Sequence, residues 1–85
     1  MAKAGTREAL EQAVQGRHPG TASIIRYFAW AHLPEVLQAI SMPMARVALD
    51  MVDALHDGPE LTAGLRKLLE AKDCFVRAAL DGLRE

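Results

Sequence analysis

A lysine interrupts the longest apolar helical pattern of this 85-residue chain. The apolar residues that recur at helical spacing are Leu61, Leu65, Leu68, Phe75, Val76, Ala79 and Leu83. At 100° per residue, Lys72 falls on the same arc, between Leu68 and Phe75. A lysine in this position extends its ammonium group to solvent, pairs with an acidic residue, or meets an anionic ligand in a shared cleft. The pattern alone leaves these three alternatives open.

An aromatic cluster with an arginine beside it has the chemistry of nucleotide binding. Tyr27, Phe28 and Trp30 stand shortly before Pro34, and Arg26 precedes them. A nucleobase offers a π-face for stacking and its phosphates need cations, so Trp30 near an exposed helix start is a candidate stacking residue. The alternative is that the aromatic residues anchor the core, which we expect of Phe28.

Two arginines in the predicted helices, Arg46 and Arg77, are suited to bind the phosphates of such a ligand, because a guanidinium group forms paired hydrogen bonds. The complete set of candidate ligand-binding residues is Trp30, Arg46, Arg77, Tyr27 and Lys72.

Helices are the elements that must position these side chains. Helix-forming residues dominate the chain, 51% of which is hydrophobic, while β-branched and aromatic residues are few. Thr6 is the predicted N-cap of a short helix over 6–14, and the glycines and proline in 15–20 predict a turn or linker. Pro34 opens a long helix over 34–55, and Gly58 and Pro59 separate it from a second long helix over 59–83.

The predicted fold is therefore all-α: an antiparallel helical hairpin with a short N-terminal helix. Residues 1–20 form the N-terminal helix and linker, and residues 21–85 form the hairpin domain. The expected core stripe of the first long helix is Leu37, Ile40, Met44, Val47, Ala48, Met51 and Leu55. Pro43 lacks an amide hydrogen and is expected to kink or break this helix near residues 41–42.

Apolar residues outside these stripes predict self-association. Met42 and Leu49 lie on the back of the first long helix, and Leu69 and Leu80 widen the apolar face of the second. At about 25 cal/mol per Å², leaving several such side chains in water forgoes several kcal/mol, so we expect a homo-oligomeric helical bundle.

Charge is distributed unequally between the two long helices. The segment 35–60 holds five acids and one base, whereas 61–84 holds five bases and three acids. This difference favours antiparallel pairing and leaves a basic edge for an anion. The alternative is a solvated face of ion pairs at i,i+4 spacing, namely Arg66–Glu70, Asp73–Arg77 and Arg77–Asp81.

Several other functions are not favoured by the residue patterns. There is no glycine-rich phosphate loop, no zinc-type Cys/His spacing and no nucleophile elbow, so we expect neither catalysis nor a metal nor a cofactor. The net charge of -1 argues against a general DNA or RNA binder. No apolar run is long enough for a membrane span, no signal-peptide core is visible and Cys74 is alone, so we expect a cytoplasmic protein.

Two stretches of the chain carry a resemblance to a known family. FAWAHLPEVLQAISMPMARVALDMVDAL followed by DGPELTAGLRKLLEAKDCFVRAAL resembles the helical hairpin domain of small bacteriophage immune-evasion sponges. That family includes the anti-CBASS cyclic-oligonucleotide sponge, and a Thoeris-evading sponge shares the hairpin. The similarity covers roughly residues 28–80.

The resemblance implies a homo-oligomer, typically a hexamer, that sequesters cyclic dinucleotides and cyclic trinucleotides at subunit interfaces without cleaving them. By the same resemblance Trp30 stacks on a base, Arg46 contacts phosphate and Arg77 serves trinucleotide binding. It further implies action in the cytoplasm of an infected bacterium. A non-catalytic helical module that oligomerises and docks on a protein partner is the alternative function.

Overall fold

Four α-helices and a 3₁₀ turn make up the regular structure of the computed structural model, which describes residues 3–83. The helices are α1 (Arg7–Ala13), α2 (Pro19–Ile25), α3 (Glu35–Ala54) and α4 (Pro59–Leu83), and the 3₁₀ turn (Arg26–Phe28) follows α2 directly. No strand occurs within 3–83, so the all-α prediction is confirmed. No helix in this range combines the length and the apolar character needed to cross a membrane.

The helix starts follow from capping residues that the sequence displays. The hydroxyl of Thr6 accepts a hydrogen bond from the Ala9 amide at 3.1 Å and so caps α1. Pro34 precedes α3 and Pro59 is the first residue of α4, because a proline loses no hydrogen bond in a first turn. The predicted helices over 6–14, 34–55 and 59–83 are confirmed to within one residue at each end.

Helix α2 was not predicted from the sequence. The turn or linker expected over 15–20 ends at His18, whose Nδ1 accepts from the Gly20 amide at 2.9 Å, and Pro19 begins the helix. Glycine, threonine and isoleucine have low helix propensity, so the sequence does not indicate a helix here. Burial of Thr21, Ile24 and Ile25 compensates for that low propensity.

Helix α3 continues through Pro43, so the helix is not broken there, and the kink expected as the alternative stays a prediction. Ser41 and Ala45 on either side of the proline are buried, at 0% and 2% exposure. Their packing against the rest of the protein holds the backbone in helical conformation although one hydrogen bond is lost.

The face of α3 that enters the core also differs from the expected stripe. Its buried residues are Leu37, Ser41, Ala45, Ala48 and Val52. Leu37 and Ala48 were predicted correctly, but Val47, Met51 and Leu55 are exposed by 41%, 42% and 49%. Helices α1 and α2 and the 3₁₀ turn also pack on the core, and the small residues of α3 allow α2 and the 3₁₀ turn to approach it closely.

One apolar cluster joins all parts of the described chain. Leu10 and Val14 from the N-terminal segment pack in the same cluster as Phe28, Val52 and Leu65. Phe28 is fully buried, as predicted. The division of the chain between residues 20 and 21 stays a prediction.

Candidate ligand-binding cleft

A cleft of about 520 Å³ lies where the 3₁₀ turn meets α3 and the second half of α4. Its polar lining residues are Arg7, Arg26, Tyr27, His32, Ser41, Lys72, Asp73 and Arg77. Four of them are arginine or lysine and one is an acid, although the whole chain has a net charge of -1. The cleft therefore concentrates positive potential and favours an anionic ligand.

Lys72 pairs with an acidic residue, which is one of the three alternatives that its position in the apolar arc allows. Its Nζ donates a hydrogen bond to the backbone carbonyl of Tyr27 at 3.0 Å and lies 3.3 Å from Asp73 Oδ1. The side chain is only 13% exposed and forms part of the cleft lining.

Arg77, five positions after Lys72 on α4, presents a guanidinium group without an acidic partner among residues 3–83. Its Nη2 donates to Cys74 Sγ at 3.4 Å, and no carboxylate within residues 3–83 lies within 4.0 Å of it. The predicted Asp73–Arg77 pair does not form; Asp73 lies beside Lys72 instead. Arg77 is exposed and available to an anion.

Tyr27 supplies an aromatic surface beside these cations. It is 56% exposed, and the Arg26 guanidinium carbon lies 5.3 Å from its ring centroid, which is cation–π geometry. A base that stacks on Tyr27 would thus have cationic groups close to its phosphates.

Arg26 and Ser41 were not predicted as site residues. Arg26 Nε and Ser41 Oγ are buried and have no hydrogen-bond partner among residues 3–83. Most buried polar groups in proteins are paired, so two such donors in the wall of one cleft are unusual. Arg26 carried a sequence signal because it precedes the aromatic cluster, whereas nothing in the sequence distinguishes Ser41.

Trp30 and Arg46 lie in a different place from the other three predicted residues. Both line a groove of about 360 Å³ together with Gly5, Ala9 and Leu49. Gly5 covers part of the indole: its carbonyl accepts from the Trp30 amide at 2.9 Å, and a Cβ built on it would lie 2.4 Å from the ring. The structure therefore brings Tyr27, Lys72 and Arg77 together and separates Trp30 and Arg46 from them.

No protein-family model, curated protein sequence or solved structure matches this chain. The chemistry of the cleft is thus argued from its own residues. Cations, an exposed tyrosine ring and buried donors suit a phosphate-bearing ligand with an aromatic part. No group of three or more His, Cys, Asp or Glu side chains in residues 3–83 is arranged to hold a metal ion.

A polar network at the opposite end of α3 stabilises the turn that leads into α4. Arg17 donates to the carbonyls of Val52 at 2.6 Å and Leu55 at 2.7 Å, which are the free acceptors at the end of the helix. Arg17 Nε also lies 3.2 Å from both carboxylate oxygens of Asp57. Asp57 accepts from Thr21 Oγ1 at 2.8 Å as well.

The same network acts on the acidity of Asp57. Hydrogen bonds from Arg17, from Thr21 and from the His18 amide lower the pKa of Asp57 from 3.8 to about 2. The linker and α2 are thereby tied to the α3–α4 turn, which positions α4 and its cleft residues.

Proposed function

We propose that this chain is a non-catalytic immune-evasion sponge of bacteriophage origin. It binds cyclic dinucleotides, cyclic trinucleotides or both, which signal host anti-phage defence, and it sequesters them without cleavage in the host cytoplasm. The observation that carries the proposal is the basic cleft in which Tyr27, Lys72 and Arg77 meet. The resemblance of residues 28–80 to cyclic-oligonucleotide sponges supplies the ligand class.

The chemistry of the cleft suits this ligand class in three respects. A volume of about 520 Å³ lies within the range of roughly 300–1,000 Å³ typical of small-molecule sites. Four lining cations match the phosphates of a cyclic oligonucleotide, and Tyr27 offers a π-face to one base. Binding alone depletes a scarce signal by mass action, so the mechanism needs no general acid, base or metal.

The proposal also includes self-association: the chain forms a homo-oligomer, and the resemblance implies a hexamer. Within each copy, α3 and α4 form an antiparallel hairpin. The accessible surface is 5751 Å², whereas a compact monomer of this mass has about 5,000 Å². Large hydrophobic residues that remain exposed on α3, at its C-terminal cap and on α4 include Val47, Met51, Leu55 and Phe75. Burying these residues against further copies would remove their apolar side chains from water.

The same exposed residues favour the second candidate function, a helical module that oligomerises and docks on a protein partner. Phe75 is 52% and Leu83 is 59% exposed at the far end of α4, where a partner could cover them. In this alternative Lys72 has the structural role of connecting α4 to the 3₁₀ turn.

A ligand panel separates the two functions. The melting temperature is measured with and without an excess of cyclic di- and trinucleotides, and bound material is recovered after denaturation and analysed by mass spectrometry. The sponge proposal requires a rise of several degrees for at least one ligand and its recovery intact, since binding only to the native state stabilises it. An unchanged melting temperature across the panel would leave the partner-docking module, and a cleaved ligand would indicate an enzyme.

A further inference from the structure

Two buried donors line the cleft in addition to the residues that the sequence indicated. Ser41 is 0% exposed and its hydroxyl has no hydrogen-bond partner within residues 3–83. The Nε of Arg26 is likewise buried and unpaired in this range. Both residues line the same cleft as Tyr27, Lys72 and Arg77.

Packing alone does not account for the hydroxyl of Ser41. The neighbouring core positions of α3 on this face are Ala45 and Ala48, and an alanine at position 41 would fill nearly the same volume. A serine inside a helix usually donates to the carbonyl one turn earlier, but Ser41 makes no such bond. An unpaired buried donor costs stability unless another molecule supplies an acceptor.

The Arg26 guanidinium group lies beside Tyr27. Its carbon is 5.3 Å from the centroid of the Tyr27 ring, which is cation–π geometry. A guanidinium N–H and a hydroxyl are both donors, and an anionic oxygen is the acceptor that can satisfy them together. An aromatic ring next to that oxygen suits the base of a nucleotide rather than a simple carboxylate.

We infer that Arg26 and Ser41 bind a phosphodiester oxygen of the ligand at the wall of this cleft, with Tyr27 against the adjacent base. This inference rests on the proposed function, and it names the residues that recognise phosphate. Both donor atoms are shielded from solvent, so binding includes a rotation of the half-buried Arg26 side chain that brings the oxygen to them. Arg77 and Lys72 supply the surrounding charge.

Nuclear magnetic resonance of the arginine Nε–Hε groups tests the contact directly. The full chain is titrated with cyclic di-AMP, cyclic tri-AMP and inorganic pyrophosphate, with the Arg26 signal assigned from Arg26→Lys. We expect this signal to shift on addition of a cyclic nucleotide. Calorimetric binding of a cyclic nucleotide with an unmoved Arg26 signal would overturn the inference and leave the sponge proposal standing.

The other outcomes also separate the two claims. A shift with pyrophosphate, together with no calorimetric binding of either cyclic nucleotide, would keep a phosphate contact at Arg26 and overturn the cyclic-oligonucleotide ligand. Failure of all three probes to bind overturns both claims.

Ser41→Ala distinguishes ligand recognition from a structural role. If Ser41 donates to a phosphate, the affinity falls roughly tenfold or more, while the melting temperature stays the same or rises because an unpaired hydroxyl has been removed. Ser23→Ala is the matched control, since Ser23 is exposed on α2 and lies outside the cleft. Wild-type affinity in Ser41→Ala, with or without a lower melting temperature, would contradict the inference.

Discussion

Lys72 of α4 donates a hydrogen bond to the backbone carbonyl of Tyr27, 45 positions earlier in the chain, at 3.0 Å. This bond connects the second half of α4 to the 3₁₀ turn, and Lys72 lines the basic cleft. A residue that appears misplaced in the apolar pattern of α4 is thus part of the contact between two elements that form the cleft.

Replacing Lys72 by methionine separates its charge from its packing. Methionine retains an unbranched apolar side chain, so we expect the free energy of unfolding to change by no more than about 1 kcal/mol. The affinity for a cyclic oligonucleotide should fall by about 1.5–3 kcal/mol, because a charged hydrogen-bond donor is lost. Chemical denaturation and calorimetry measure the two effects. Lys67→Met, also on α4 but outside the cleft, is the control; an equal loss of affinity there would point to bulk charge.

The two aromatic candidates differ in how accessible they are to a base. Tyr27 is 56% exposed in the basic cleft, whereas Trp30 is half-buried against Gly5. We therefore expect Tyr27→Ala to weaken ligand binding by about 1–3 kcal/mol, the value of one stacked base. Trp30→Phe should retain most of the affinity in calorimetry. A larger loss for Trp30→Phe than for Tyr27→Ala would place the base in the groove of Trp30 and Arg46.

Substitutions of two methionines on opposite sides of α3 test which face of this helix mediates self-association. Met51 is 42% exposed and Met42 is 38% exposed, and nine positions of separation place them about 180° apart around the helix. Met51→Glu should dissociate the oligomer, because a carboxylate would be buried at the interface. Met42→Glu should leave the molecular mass in light scattering unchanged, although the sequence predicted self-association through Met42. The reason is that Met42 borders the charged Arg46 and Asp50. Met51, in contrast, adjoins the exposed Val47 and Leu55. A monomeric wild-type protein, or dissociation by Met42→Glu alone, would contradict this assignment.

Alanine substitutions at Gly5 and Gly16 test how closely Gly5 packs against Trp30. Both have positive φ, 78° and 84°, but an added Cβ meets open space at Gly16 and lies 2.4 Å from the Trp30 ring at Gly5. Gly16→Ala should cost about 1–2 kcal/mol from backbone strain alone. Gly5→Ala should cost about 1–3 kcal/mol more, because the indole must move. Urea unfolding followed by Trp30 fluorescence measures both, and equal costs would show that Gly5 does not confine the ring.

The lowered pKa of Asp57 predicts a pH dependence with a definite sign. Because its pKa is about 2 in the folded protein and 3.8 otherwise, the ionised carboxylate stabilises the fold fully above about pH 4. That stabilisation is lost as the pH falls towards 2. Asp57→Asn should therefore be less stable than the wild type at pH 6, and the difference should shrink between pH 4 and pH 2.

Denaturation curves at a series of pH values measure this difference. Asp53→Asn, at an exposed position of α3, is the control for removing an acidic residue. A stability difference between Asp57→Asn and wild type that stays constant down to pH 2 would exclude the ionised carboxylate as its cause.

Local sequence signals were sufficient to predict where α1, α3 and α4 begin. Thr6, Pro34 and Pro59 act within one helical turn of themselves, so the starts of α1, α3 and α4 follow from capping chemistry alone. The unusual position of Lys72 was also visible from helical periodicity. Phe28 was correctly expected in the core, because a large aromatic residue between two helical segments has few other places to be buried.

The packing partners of each helix were decided only by the tertiary structure. Helix α2 forms from residues with low propensity because burial of Ile24 and Ile25 stabilises it, and no local signal reports burial. The same packing selects Ala45 and Ala48 as the buried face of α3 and leaves Met51 exposed. It also places Arg26 and Ser41 in one cleft with Lys72, since side chains that are distant in sequence meet only when the helices pack.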